Sequence, residues 1–117
     1  MSLIRLQRHQ HPAGRHHELR QHQVLDPRGR FVGEVANLYV DENERELHFV
    51  EVVTGGFLGL GKKHHLVPVE AISEEGPGSL TLGVDQETVE RAPTFPNPEV
   101  GPDNEHQRTI REHYGYG

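Results

Sequence analysis

Residues 52–69 most constrain what this chain can become. Val52-Val53-Thr54 and Leu66-Val67-Pro68-Val69 are β-rich runs, and between them sits a loop, residues 55–61, that mixes glycines with Phe57, Leu58 and Leu60. From Gly56 to Lys62 the spacing imitates a phosphate loop: glycine, four residues, glycine, lysine. The imitation stops there. Lys63 stands where a magnesium-binding hydroxyl is needed, and Leu66 to Val69 reads as a strand. A phosphate loop must open a helix, whose N-terminal amides hold the anion. Nucleotide binding is therefore set aside, and the glycines are read as permitting a tight hairpin connection.

The apolar residues confine the core to the middle of the chain. Leu, Ile, Val and Phe account for 23 of the 66 residues from Val24 to Val89, but only 7 of the other 51. A chain of 117 residues holds one domain, large enough to fold alone and too small for a spacious enclosed site. There is no cysteine, which excludes disulfides, thiolate metal sites and cysteine nucleophiles. No apolar run approaches the length of a membrane span, and Met1 to Leu6 is too short and polar for a secretory signal. A cytoplasmic location is expected.

Charge is segmented as well. The expected organisation is a flexible His/Arg-rich arm over residues 1–22, a β domain over 23–93, and a Pro-rich linker with a short C-terminal helix over 94–117. The first 23 residues carry net +3 and five of the ten histidines, whereas residues 24–93 carry net −7. An acidic domain argues against nucleic-acid binding, which needs a basic face.

Within the domain, Val24-Leu25 is a short strand, and Asp26-Pro27-Arg28-Gly29 has the residues of a tight turn. The next strand, about Arg30 to Asp41, changes its apolar phase from Phe31, Gly33 and Val35 to Ala36, Leu38 and Val40. A two-residue period cannot do that without a slip, so a β-bulge or bend is expected near Val35-Ala36. A polar turn, Asp41 to Arg45, leads into a strand over Glu46 to Thr54 that is apolar on both faces. Pro68 places Leu66 to Val69 at an edge or bulge. Residues 74–78 read as a turn, and Leu80, Leu82 and Val84 alternate as a strand. Asp85 is placed to cap a helical turn over Gln86 to Arg91. Asp103 or Asn104 is placed to cap a helix through His113, with Ile110 and Tyr114 on one face.

These residues, taken in order, resemble the PRC-barrel family, the domain shared by the photosynthetic reaction centre H subunit and the ribosome maturation factor RimM. The matching pieces are Val24-Leu25-Asp26 with Gly29, Val32-Gly33-Glu34-Val35, Tyr39-Val40-Asp41, Phe49-Val50-Glu51-Val52, the glycine loop, Leu66-Val67-Pro68-Val69 and Val89-Glu90-Arg91-Ala92-Pro93. Glu105 with Arg111-Glu112-His113-Tyr114-Gly115 further resembles the extension found in a bacterial subset associated with stress responses. The resemblance implies an all-β fold: a small, strongly bent barrel of about six strands, with one short helical turn and a C-terminal helix. It implies a docking module with no catalytic residues and no cofactor.

The side chains with chemistry to offer fit that expectation. His9, His11, His16, His17 and His22 are the candidates for a metal site, since neutral imidazole binds zinc, nickel or copper. Pro12 and Gly14 deny them a fixed geometry, and no surrounding core orients the rings. His64 and His65 are adjacent on a strand and point to opposite faces, so they cannot chelate one ion. Asp41, Glu42, Glu44 and Glu46 lie together in a turn and read as solvated. Phe57, Leu58 and Leu60, together with Ile110 and Tyr114, are the expected partner contacts, because an exposed apolar patch marks an interaction surface. The expected function is a non-enzymatic adaptor, a homodimer in its simplest form. A metal-responsive protein using the histidine arm and a ribosome-assembly factor are the alternatives.

Overall fold

The computed structural model describes residues 2–13, 18–55, 61–94 and 101–116. Its strands are β1 (Leu3–Arg5), β2 (Gln23–Leu25), β3 (Phe31–Asp41), β4 (Leu47–Gly55), β5 (Lys62–Pro68), β6 (Ile72–Gly76) and β7 (Ser79–Leu82). A single 3-10 turn, Val69–Ala71, joins β5 to β6, and two helices follow, α1 (Gln86–Glu90) and α2 (Asn104–His113). The architecture is the all-β, barrel-like one expected, with seven strands in place of about six.

The strands run in the order β5-β4-β3-β2-β7-β6, with β1 also on β3. β3 organises the sheet. One of its edges pairs with β4 along most of its length; the other pairs with β2 near its start and with β1 near its end. The slip expected near Val35-Ala36 is present: the β3–β4 register jumps between Val35 and Asn37, leaving Ala36 unpaired. A second jump, between Tyr39 and Val40, bends the same pair again. Two bulges in one long pair increase its twist and curl the sheet around its core. The hydrogen-bonded ladder stays open between β5 and β6, the two ends of the strand order.

Both faces of β4 are covered, as its sequence requires: Leu47, Phe49, Val50, Val52 and Thr54 are all buried. The loop after Gly61 enters a strand at Lys62, so no helix is available there to receive a phosphate.

Two expectations need correction. The stretch read as a flexible arm is tied to the domain over its described residues. β1 pairs with the end of β3, the Leu6 amide donates to Leu38 O at 2.8 Å, and Leu3, Leu6 and Leu19 are all buried. Three leucines at irregular spacing give no period, yet each fills a place in the core. The stretch read as a turn over 74–78 is mostly strand: β6 runs to Gly76, and the turn falls on Pro77 and Gly78, the latter at φ +73. β6 is a charged, exposed edge strand, so it needs no apolar alternation and shows none.

The C-terminal helix packs on its own domain. Asp103 caps it, accepting from the His106 amide at 2.8 Å. Arg111 pairs with Glu70 at 2.5 Å, and His113 Nε2 donates to Thr88 O at 2.7 Å. Ile110 and Tyr114, expected as partner contacts, are instead buried in this chain's core. A helix of this length is marginal alone, and the apolar face that stabilises it is the one that docks.

His65, fully buried on β5, makes an isolated bridge with Thr94. Neither ring nitrogen reaches a well-formed hydrogen bond. Burial pushes the imidazole pKa down, offset in part by the nearby backbone of Ala92 and Pro93. The fold thus favours neutral His65. Its contribution is fully present above the unfolded value of about 6.5 and is lost as pH falls through the lower folded value. Thermal melts are expected to show the wild type losing stability as pH falls below about 6.5, with a flatter profile for His65→Phe. The carboxylates Asp26, Glu70 and Glu87, whose pKa values are lowered, start to lose their contributions only near their unfolded values of about 4. Equal slopes in the two proteins would remove the assignment.

Candidate functional site

The turn between β2 and β3 is built around one buried carboxylate. Asp26 accepts from the amides of Arg28 at 3.0 Å, Arg30 at 2.9 Å and Gln86 at 3.1 Å. Arg30 Nε adds a fourth bond at 2.8 Å, while the two ends of its guanidinium fork reach Glu87 at 2.8 and 2.7 Å. The donors hold the Asp26 carboxyl below the usual carboxylate range despite its burial. Gln86 then donates from its side chain to Phe31 O at 2.8 Å. One acid therefore ties the turn to the start of α1, and both fix the first residue of β3.

That residue is Phe31. It is 55% exposed and is the one large apolar residue on the surface among the described residues. It lines a cleft of about 280 Å³ with Glu34, Val35, Ala36, Val53 and Lys62. The bulge at Ala36 and the close approach of β3 to β4 at Gly33 shape this wall; a Cβ on Gly33 would lie 2.3 Å from Val53 O. Glu34 and Lys62 give the rim one charge of each sign.

A second polar group crosses the middle of the sheet. Glu51, fully buried on β4, accepts from Asn37 Nδ2 of β3 at 2.7 Å and from His64 Nδ1 of β5 at 2.6 Å. His64 is half-exposed, and its neighbour His65 lies in the core, so the two rings do occupy opposite faces. Such an acid–imidazole pair is found in hydrolytic sites, but there the imidazole must also face a nucleophile. No hydrogen bond joins His64 to a serine or threonine among the described residues. This row is read as a polar cross-brace.

A comparison with family models matches residues 13–87 to the PRC-barrel domain. The chain belongs to the PRC-barrel family. The match covers β2 to β7 and reaches into α1, which includes the Asp26 turn, the bulged β3–β4 pair and Glu51. Among the curated proteins, none matches. Among the described residues of this PRC-barrel, no helix is long and apolar enough to cross a membrane.

The residues singled out from sequence fare unevenly. Phe57, Leu58 and Leu60 lie outside the described residues, as do His16 and His17. His9 and His11 are exposed and His22 is half-buried. His11 Nδ1 lies 3.9 Å from Glu18 Oε2, and no group of three or more His, Asp or Glu able to hold a metal forms among the described residues. The carboxylates of the Asp41 to Glu46 turn behave as read: Asp41 accepts from the amides of Glu44 and Glu46 at 3.0 and 2.9 Å, which is turn chemistry. Phe31, exposed in the structure, was not among the residues singled out from sequence. Its signal was a large aromatic directly after a turn, at the start of a strand.

Proposed function

We propose that this PRC-barrel is a non-enzymatic docking module that presents Phe31 and the adjoining cleft to a protein partner. The observation carrying this reading is Phe31 itself, an aromatic left 55% exposed yet anchored at its backbone by the Asp26–Arg30–Glu87–Gln86 network. A fixed aromatic loses little conformational freedom on association and suits the centre of an interface. The cleft beside it accepts one or two apolar side chains, and the mixed charges at Glu34 and Lys62 orient them. A second copy of the chain is the simplest occupant, because a two-fold axis would set the same cleft and ring on both sides.

Light scattering and cross-linking capture from the native host test this with wild type and Phe31→Ser. The expected result is a complex, homodimeric in its simplest form, that Phe31→Ser loses while keeping a native melt. An aromatic anchor at an interface centre is worth about 2 kcal/mol or more, roughly a thirtyfold loss of affinity. Identical assemblies from the two proteins would sink the assignment of this face.

A further inference from the structure

A different cleft carries chemistry that docking does not use. β1 and the residues after it, the segment 18–21 and the bulged part of β3 enclose about 500 Å³. Arg5, Arg8, Arg20, Glu18, Gln21 and Asn37 are among its lining residues. Three arginines against one glutamate make a positive concavity on a chain of formal net charge −6. Low-dielectric walls focus such a field and concentrate anions within it.

The three arginines are not equivalent. Arg20 is consumed by the framework: its guanidinium bonds to Glu18 at 2.5 to 2.9 Å and to the carbonyls of Gln7 and Gln10 at 2.9 and 2.6 Å. It fixes the chain before β2 against the chain after β1. Arg5 and Arg8 have neither an ion pair nor a side-chain hydrogen bond among the described residues. The wall opposite is rigid. Asn37 is held by Glu51, and Gln21 sits at φ +71, a conformation that non-glycine residues seldom adopt, fixed by its amide bond to Val35 O at 2.7 Å. Strained backbone of this kind persists where surrounding structure over-determines it, and it clusters at binding sites.

We propose that this cleft binds a small dianionic oxyanion, with Arg5 and Arg8 as its charged ligands and the Asn37–Gln21 wall as its polar side. Two guanidiniums without an ion pair among the described residues match two negative charges, and each fork fits a phosphate or carboxylate edge through paired hydrogen bonds. The volume is that of a small-molecule site. The shared chemistry covers a phosphate monoester and a dicarboxylate.

Amide NMR titrations of the full chain with phenyl phosphate and, separately, with malonate test the site. Saturable shifts are expected at Arg5, Gln21 and Asn37 with at least one probe, and which probe saturates identifies the oxyanion. Affinity is expected to fall at least about tenfold in Arg5→Gln/Arg8→Gln, by an intermediate factor in Arg8→Gln on its exposed loop, and not at all in Arg28→Gln or Phe31→Ser. The single Arg8 variant keeps the test usable should the change in β1 unsettle the fold. No saturable shift below about 10 mM with either probe, or equal affinity in the double variant and Arg28→Gln, overturns the proposal. Because Phe31→Ser is expected to bind the anion normally, failure here leaves the docking face standing.

Discussion

Gly33→Ala is expected to destabilise the domain by about 3 kcal/mol, at the upper end of what overpacking costs. A methyl group there would lie 2.3 Å from Val53 O and 2.9 Å from Val52 Cγ1, so the backbone of β4 has to move away from β3. Backbone cannot rotate aside as a side chain can. The two strands are already locked by pairing directly beyond this point, Glu34 with Val53 and Val35 with Val52. In a domain of this size the loss corresponds to a melting temperature lower by roughly 12–24 °C. Gly61→Ala is the control, since nothing lies within 4 Å of its added carbon, and it is expected to stay within about 0.5 kcal/mol of wild type. Urea melts giving both variants the same midpoint would show that β4 yields freely. The same displacement moves Val53, so Gly33→Ala is also expected to weaken docking at the Phe31 cleft.

Glu51→Ala is expected to cost a similar amount, about 3 kcal/mol, for an unrelated reason. The carboxylate is fully buried and holds two donors, Asn37 Nδ2 and His64 Nδ1, from the strands on either side. Its removal strands the Asn37 amide and opens a hole in the middle of the sheet. Glu51→Gln keeps the volume and one acceptor, and is expected to lose only about 1–2 kcal/mol. A double-mutant cycle between Glu51→Ala and Asn37→Ala is expected to return a coupling of about 1 kcal/mol or more, because each change alone leaves the other group unpaired. Additive losses would mean that the two side chains do not act as one brace.

What could be read in the sequence was what periodicity and turn chemistry encode locally. Phe31 to Val40 cannot alternate unbroken, and the bulge appears at Ala36 where the phase changes. Asp26 to Gly29 closes as a turn, with the Gly29 amide on Asp26 O at 2.9 Å and Gly29 at φ +80. Asp85 and Asp103 cap the helices they precede. The order of pieces that resembles the family was legible for the same reason, as a succession of local signals. Other features depend on register. Asn37 and Glu51 are single polar residues inside apolar stretches and His64 is one of four polar residues that open β5, and only the pairing of β3, β4 and β5 makes one group of them. Ile110 and Tyr114 do share a helix face, but the helix carries no record of which surface covers it. Leu3, Leu6 and Leu19 lacked any period, and a polar, histidine-rich stretch concealed three core residues. The Phe31 surface was obscured by success elsewhere: the aromatic fits the strand pattern, and nothing local says that its face stays bare.

The side-by-side, same-direction pairing of β2 with β7 sets a schedule for how this molecule is made. Gln23 meets Ser79, and Val24 meets Leu80, so a strand emerging early from the ribosome waits for one of the last before that flank is satisfied. Closing so long a loop is entropically slow, and a topology rich in distant pairings folds late. The nascent chain therefore secures β3 and β4 early but leaves β2 waiting until the end of the domain is made, and a stalled or shortened copy would carry that unfilled flank looking for company.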